Sequence, residues 1–370
     1  MRKTYLDNIR WITVVLVVIY HVIFMYNSVE TSLVIGPFKD VQYQDTYLYM
    51  VYPWFMLLLF VVSGMSSRFY LEKHTNKEFI KSRTVKLLVP ATIGLFVFQW
   101  ILGYYSMAIC NSFETIPDAV PGFLLYFIMV LSGQGVLWFA QLLWVFSLVL
   151  VLIRKIEKDK LYRVCEKANI VVLLLLTIAI YGASLILNMP MIIVFRCGIY
   201  GLGYLIGYFV LSHDSVMERL TKWWIPLCVA AVILGGLFVY FYFGQPYAQH
   251  VVLDTPLCNA FAWIAVLAIF AFMNKWGNFE NAFSKWMNKK SWGLYVFHYL
   301  AISVCAFYLH TYAPGMPAIL VYLLTAIGAF AGAFLLYEVI SRIPVIRWCV
   351  LGISKKKITK NKSDEVKANV

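Results

Sequence analysis

The chain has 370 residues, of which 62% are hydrophobic, 17% aromatic and only 13% charged, and its mean hydropathy is +0.76. Soluble domains contain about 45–50% apolar and about 25% charged residues, so this composition excludes a large soluble enzyme and predicts an integral membrane protein. The net charge of +13 must therefore be explained in a membrane setting.

Ten apolar runs, bounded by charged residues or by Gly and Pro, predict ten transmembrane helices and an all-α polytopic fold. The boundary between the fifth and sixth spans, at Asn188–Pro190, is the least distinct. A helical hairpin is favoured there because one unbroken helix would exceed the bilayer thickness. Residues 108–133 are expected to form the longest outer loop. In chain order the predicted spans are approximately 10–29, 48–69, 87–107, 134–153, 170–187, 190–211, 223–243, 256–274, 291–311 and 317–340.

The basic residues predict the orientation of these spans. All 31 Lys and Arg residues except Lys39 and Arg196 fall in or beside alternate loops or the two termini, and basic residues accumulate on the cytoplasmic side. Both termini are therefore expected to be cytoplasmic. This charge also attracts anionic headgroups of membrane lipids, and no nucleic-acid partner is needed to explain it.

The domain organisation is simple. We expect one ten-helix membrane domain over residues 1–345 and a basic cytoplasmic tail over 346–370, whose Lys-rich composition is typical of a disordered segment. The seven cysteines lie far apart without a CxxC pair, so the sequence indicates neither a disulfide framework nor a metal site.

Ionisable side chains are costly within a bilayer and are functional candidates by default. Here they are His21, Arg196 and His298, with Arg10 and Glu338 at the cytoplasmic edge. Arg10 and His21 are eleven residues apart, nearly three helical turns, so they share one helix face about 16 Å apart along the axis. An extended pantetheine arm has a comparable length. A phosphate at Arg10 would then place a thioester near His21, whose imidazole is suited to act as a general base.

Simpler interpretations of these residues remain open. His21 is also compatible with a hydrogen bond to a neighbouring helix, and Arg10 with an interfacial anchor. Tyr295 and His298 share a face of the ninth span, so His298 is expected either to face a cavity with His21 or to pair with a carbonyl or hydroxyl. Arg196 either binds an anionic group of an acceptor or pairs with an acidic side chain.

Five short motifs occur in the order found in a known family. They are Leu6-Asp7-Asn8-Ile9-Arg10 followed by His21, Phe60-Val61-Val62-Ser63-Gly64, Arg83-x-x-Lys86, Leu137-Trp138-Phe139 and Tyr295-x-x-His298. Together with ten spans, they make the chain resemble the membrane acyltransferase type 3 family over nearly its whole length. The closing stretch, Leu336-Tyr337-Glu338 followed by Arg342-Ile343-Pro344, is similar to the branch that modifies periplasmic glucans with succinyl groups.

The resemblance implies transfer of an acetyl or succinyl group from cytoplasmic acyl-CoA to a hydroxyl of an extracytoplasmic carbohydrate or lipid-linked glycan, in a bacterial plasma or inner membrane. Acyl-CoA would be a co-substrate, with no bound cofactor or metal. The implied roles are catalytic for His21, Tyr295 and His298, donor-binding for Arg10, Arg83, Lys86 and Ser63, and supporting for Asp7, Trp138, Arg196 and Glu338.

A function from another class competes with this one. In a proton-coupled transporter or flippase, His21, Arg196 and His298 would line a proton path. The best sequence indicator of such a protein is a pair of broken helices in two related halves, and it is not evident here. The oligomeric state stays open, a homodimer included.

Overall fold

The computed structural model describes residues 3–117, 119–189 and 194–354, which form helices and loops with no β-strand among them. The prediction of an all-α membrane protein is confirmed. The helices are α1 (Thr4–Phe24), α2 (Thr46–Leu71), α3 (Asn76–Arg83), α4 (Trp100–Ile109), α5 (Ser112–Thr115), α6 (Gly122–Ser132), α7 (Trp138–Glu157), α8 (Lys160–Cys165), α9 (Ile170–Ser184), α10 (Cys197–Ile206), α11 (Asp214–Thr221), α12 (Trp224–Tyr242), α13 (His250–Leu253), α14 (Pro256–Trp276), α15 (Ala282–Tyr312), α16 (Ala318–Arg342) and α17 (Pro344–Leu351).

Seven helical segments in the described part of the chain are individually long and apolar enough to cross a membrane. They are Thr4–Phe24, Tyr43–Leu71, Gly135–Glu157, Trp224–Tyr242, Pro256–Trp276, Ala282–Tyr312 and Ala318–Arg342. The third, fifth and sixth predicted spans contain shorter apolar helices, at Leu95–Ile109, Ile170–Ser184 and Cys197–Leu211. Seven of the ten predicted spans are thus long helices, and the other three contain shorter ones. Part of the sixth, residues 190–193, lies outside the described residues.

The third span is interrupted rather than continuous. After α3 the chain makes π-helical turns at Thr84–Leu88 and Leu95–Gln99, with Pro90 between them. Proline lacks a backbone N–H and disturbs the hydrogen-bond ladder. The side chain of Gln141 on α7 donates a hydrogen bond to the carbonyl of Ala91 (3.0 Å) and so provides a partner at this break. Irregular backbone at membrane depth is tolerated only where protein or enclosed water covers it.

The segment expected as an outer loop, residues 108–133, contains a helix that the sequence reading missed. This helix, α6, packs closely on α4, because Gly103 faces the carbonyl of Met129 and Gly133 faces the carbonyl of Gln99. A methyl group at either glycine would lie within 2.0 Å of that carbonyl oxygen. With only 11 residues, α6 falls below the length by which spans are recognised.

Helix α2 lies at the centre of the bundle, and its residues are all buried or half-buried. It crosses α10 through two glycines. A Cβ on Gly64 would lie 1.9 Å from the carbonyl oxygen of Tyr204, and one on Gly207 would lie 2.1 Å from that of Val61. Small residues of this kind let helix backbones approach closely within a membrane.

Contacts between loops divide them into two groups at opposite ends of the bundle. The basic end is joined by ion pairs or hydrogen bonds between Lys3 and Asp214 (2.5 Å), Arg68 and Asp159 (2.7 Å), and Arg154 and Asn76 (2.8 Å). The opposite end is joined by hydrogen bonds from Ala248 N–H to Glu30 (3.1 Å) and from Gln44 to Tyr322 (3.3 Å). This grouping agrees with the alternation expected from the basic residues.

The first residues of the predicted tail, 346–351, belong to a helix. Helix α17 occupies Pro344–Leu351, with Cys349, Val350 and Leu351 buried. The carbonyl of Leu351, the last residue of α17, accepts a hydrogen bond from the indole N–H of Trp292 (3.2 Å). This bond and the three buried side chains attach α17 to the rest of the bundle. The remainder of the predicted tail, residues 355–370, lies outside the described residues.

We expect Gly64→Ala to destabilise the protein, because the added methyl group meets backbone that cannot move aside. Overpacking of this kind costs about 1–3 kcal/mol and should lower the unfolding temperature in detergent. The matched control is Gly236→Ala, in a helix where nothing lies within 4 Å of the added carbon. Equal stability of the two variants would contradict the close crossing of α2 and α10.

The two groups of loops also predict which single cysteines a membrane-impermeant thiol reagent reaches in intact cells. In a cysteine-free background, Asp40→Cys should be labelled from outside and Lys160→Cys only after the membrane is opened, because basic loops remain cytoplasmic. Labelling of Lys160→Cys in intact cells would reverse the orientation.

Candidate active site

Two histidines from distant parts of the sequence meet inside the bundle. His298 Nε2 on α15 lies 3.2 Å from His21 Nδ1 on α1, with ring centroids 5.0 Å apart. His298 is fully buried, whereas His21 remains partly accessible. The structure thus brings together the two residues expected to face one cavity, and it places them in direct contact.

The neighbours of these rings fix their tautomers. His298 Nδ1 lies 2.8 Å from the carbonyl oxygen of Tyr295, and His21 Nδ1 lies 2.8 Å from that of Val17. A carbonyl only accepts, so in the neutral rings each Nδ1 carries the proton, an assignment made from the hydrogen-bond network. His298 Nε2 is then an acceptor that shares the His21 Nδ1 proton with Val17. This arrangement leaves His21 Nε2 unprotonated, with a lone pair available for chemistry.

Two tyrosines flank the histidine pair. The hydroxyl of Tyr295 donates a hydrogen bond to the carbonyl of Val136 (2.5 Å), in the turn before α7, and is thereby engaged away from the imidazoles. Tyr299, which the sequence reading did not select, packs its ring edge-on against His21 with centroids 5.0 Å apart. Its hydroxyl donates to the carbonyl of Leu33 (3.3 Å) in the loop at the opposite end. Tyr299 therefore links that loop to His21.

Arg10 lies on the same face of α1 as His21, about 16 Å nearer the basic end by helical rise. Its Nη1 donates to Asp7 Oδ1 (2.7 Å), and its Nη2 bonds to the hydroxyl of Ser66 on α2. Asp7 is thus where the sequence placed it, beside Arg10. Contacts on two sides orient the guanidinium at the boundary between the helices.

Arg83 reaches the same turn of α2 from another helix. Its Nη2 donates to the hydroxyl of Ser67 (3.0 Å), which also contacts the Tyr204 hydroxyl (2.8 Å), and its guanidinium lies over the ring of Phe79. Because Ser66 and Ser67 are neighbours in sequence, the two guanidinium groups converge on one turn. Successive residues of a helix point about 100° apart, so the two guanidinium groups approach this turn from different sides.

The other two residues predicted to bind a donor differ in position. Ser63 lies one turn deeper on α2, half-buried, and its hydroxyl donates to the carbonyl of Leu59 (2.7 Å). Lys86 is exposed, within the π-helical turn that follows Arg83. Ser63 is therefore satisfied within its own helix, whereas Lys86 faces away from the protein interior.

Three residues predicted as supporting lie in separate clusters. Trp138 packs on Tyr200, with centroids 5.7 Å apart. Buried Arg196 pairs with Asp254 (3.5 Å), so of the two alternatives for this arginine the structure contains the acidic partner. Glu338 forms ion pairs with Lys290 and with Arg342 (3.5 Å) at the basic end.

The sequence reading missed Ser66, Ser67 and Tyr299. A signal existed for the serines, since Ser63, Ser66 and Ser67 recur at helical spacing in an otherwise apolar span. No comparable signal marked Tyr299. Its contact is with His21 on α1, and that contact cannot be inferred from the sequence around Tyr299. No group of three or more His, Cys, Asp or Glu residues suited to a metal ion occurs in the described ranges.

Comparison with known proteins gave one finding. A family model described as an acyltransferase domain matches residues 3–338, which include both histidines, both arginines and the serine turn. Neither a curated protein nor a solved structure gives a significant match to the chain.

Proposed function

Because this chain belongs to the membrane acyltransferase type 3 family, whose members transfer acyl groups, we propose that it moves an acetyl or succinyl group from cytoplasmic acyl-CoA to a hydroxyl of an extracytoplasmic carbohydrate or lipid-linked glycan. The observation that carries this proposal is the position of His21. Its Nδ1 is held by the Val17 carbonyl and by His298, which leaves Nε2 available for chemistry, about three turns from Arg10 on the same helix face.

The arginines support a phosphate-bearing donor. Guanidinium groups form strong charge-assisted hydrogen bonds to phosphate oxygens, and Arg10 and Arg83 approach one turn of α2 from two helices. A diphosphate bridging them would leave the pantetheine arm to run along α1 towards His21. Asp7, Ser66 and Ser67 would orient the two guanidinium groups before the donor arrives.

His21 acts in this proposal as the general base. Its Nε2 takes the proton of the acceptor hydroxyl while the hydroxyl oxygen attacks the thioester carbonyl. The tetrahedral intermediate collapses by breaking the C–S bond, and the proton on Nε2 passes to the departing thiolate, which yields an ester and free CoA thiol. Meanwhile the charged imidazole keeps its Nδ1 proton between the Val17 carbonyl and His298 Nε2, which are 2.8 and 3.2 Å away.

The same nitrogen also suits a two-step reaction. His21 Nε2 would then attack the thioester carbonyl, break the C–S bond and release CoA as the thiolate. The acceptor hydroxyl would next attack the acyl carbon, break its bond to Nε2 and give up its proton, which neutralises the thiolate. His298 serves as a positioning residue in either version, because it fixes the tautomer of His21. Tyr295 positions α15 against the turn before α7 through its bond to Val136.

We expect Arg10→Ala and Arg83→Ala each to raise the apparent KM for acyl-CoA about tenfold or more, because each removes a charge-assisted phosphate contact. Steady-state kinetics of the purified enzyme with a radiolabelled donor measure this. Arg83→Lys should be partly active if the contact is a point charge and poorly active if it is bidentate. The control is Lys39→Ala, at the opposite end, and an unchanged KM in both arginine variants would remove them from the donor site.

We expect His21→Ala to reduce transfer about 10²- to 10⁴-fold while the protein still inserts and keeps its unfolding temperature, as for loss of a general base. A purely structural histidine would instead lower stability when replaced. If His21 carries the acyl group, acyl-CoA alone should label the wild-type protein, and His21→Gln should lose the label. Full activity in His21→Ala would end this proposal.

An insertion tests the helix face itself. One alanine added between Arg10 and His21 rotates the two residues about 100° apart and should inactivate the enzyme although both are present. The control is one alanine added in the loop at residues 38–40. Full activity in the first insertion variant would show that α1 does not align the two groups.

A further inference from the structure

An apolar groove with a volume of about 520 Å³ is lined by residues of α1, α2, α12 and α14. Pockets that bind whole ligands measure roughly 300–1,000 Å³. Two of the lining side chains, Val232 and Phe272, are exposed at the protein surface, whereas Ala265 and Ala268 are buried. The groove therefore opens sideways, towards the hydrocarbon of the bilayer.

The hydroxyl and indole groups in the lining are already satisfied by the protein backbone. Thr13, Tyr47 and Trp54 each donate a hydrogen bond to a backbone carbonyl of α1 or α2, at 2.7, 3.2 and 2.7 Å respectively. The other side chains that line the groove are aliphatic, aromatic or sulfur-containing. Because the protons of the polar groups are committed to the protein, the groove favours hydrocarbon over a polar ligand.

The length of the groove is close to the thickness of one leaflet. On α14 its lining extends from Phe261 to Met273, about 18 Å by helical rise. The hydrocarbon core of a bilayer is about 30 Å thick, so each leaflet contributes about 15 Å. Met273 lies one turn from the end of α14, and Cys228 lies one turn from the start of α12. The groove therefore reaches the basic end, and its length matches an acyl chain of the leaflet on that side.

Two tryptophans mark the membrane interface where the groove reaches the basic end. Trp276 follows the lining residue Phe272 by four positions, and Trp224 precedes the lining residue Cys228 by four, so both continue helix faces that line the groove. The Trp224 ring centroid lies 6.0 Å from that of Phe272 and 6.4 Å from that of Trp276. Tryptophan is enriched at the level of the lipid headgroups. This end of the groove therefore lies where a headgroup would be.

Lys275 supplies a positive charge at the same place. Its Nζ lies 4.8 Å from the centre of the Trp224 ring and 5.2 Å from that of Trp276. Both distances permit cation–π attraction, which holds the ammonium at the end of the groove. The side chain is exposed, and within the part of the chain that the structure describes no carboxylate pairs with it. Its N–H donors are therefore available to a phosphate.

The headgroup decides which lipid such a groove prefers. An acyl chain gains little by moving from the bilayer into an apolar groove, because lipid chains are as apolar as the side chains that line it. A lysine at the interface, by contrast, attracts the anionic lipids of the cytoplasmic leaflet. The groove and Lys275 together therefore favour an anionic phospholipid over a neutral one.

We propose that this groove binds one anionic phospholipid of the cytoplasmic leaflet, with an acyl chain along α14 and its phosphate at Lys275. On α1 the groove uses the face of Ile9, about 100° around the helix from Arg10. The lipid therefore leaves the face of the proposed reaction free. The site does not depend on the proposed transfer reaction.

Photocrosslinking in nanodiscs tests this proposal. The purified protein is placed in a phosphatidylcholine bilayer with a trace of either phosphatidylglycerol or phosphatidylcholine that carries a photoreactive group in one acyl chain. After irradiation, mass spectrometry locates the labelled residues. We expect phosphatidylglycerol to label the groove about fivefold more than phosphatidylcholine, the preference that one interfacial lysine gives for an anionic lipid.

Two pairs of variants separate the headgroup from the chain. Lys275→Ala should bring the two lipids close to equal labelling, whereas Lys289→Ala, at an exposed lysine of the same end outside the lining, should keep the preference. Ala231→Phe should fill the groove and lower labelling by both lipids. Val229→Phe, at an exposed position of the same helix outside the lining, should leave labelling unchanged.

Three results would overturn the proposal. Equal labelling of the wild-type groove by the two lipids would show that it has no preference for an anionic headgroup. An unchanged preference in Lys275→Ala would remove the phosphate contact. Label found mainly on the exposed face of α16, or unchanged labelling in Ala231→Phe, would show that lipid contacts the protein surface without occupying the groove.

Discussion

Polar groups inside this bundle depend on partners within the protein, because hydrocarbon offers none. The contact between His21 and His298 satisfies that constraint. Each ring places its Nδ1 against a carbonyl of its own helix, and His298 Nε2 also accepts the Nδ1 proton of His21. The shared proton links α1 to α15, and His21 keeps one unprotonated nitrogen. Ser66 and Ser67 meet the same requirement for Arg10 and Arg83, so the side chains of the candidate site are oriented by the protein itself.

The sequence predicted those features that depend on the residues of a single helix or on the distribution of charge along the chain. The apolar runs located the spans, basic residues grouped the loops, and a spacing of eleven placed Arg10 below His21. Asp7 beside Arg10 is also a local pairing, three residues apart. These features depend on helical periodicity and on the cost of burying charge, both of which can be evaluated from sequence.

The rest depended on contacts between segments far apart in sequence. Nothing in α2 alone indicates that Ser66 and Ser67 receive arginines from two different helices. Tyr299 has no distinguishing neighbour until α1 packs against it. Helix α6 was missed because its 11 residues are too few to span, and α17 because it follows a charged segment yet buries its last three residues.

The interrupted third span has a consequence for how the protein is made. The carbonyl of Ala91 receives its hydrogen bond from Gln141, fifty residues later in the chain. While the ribosome is still synthesising the intervening segment, that carbonyl has no protein partner, and lipid cannot replace one. The third span is therefore expected to remain beside the translocation channel until α7 emerges, and the two segments should enter the bilayer as a unit.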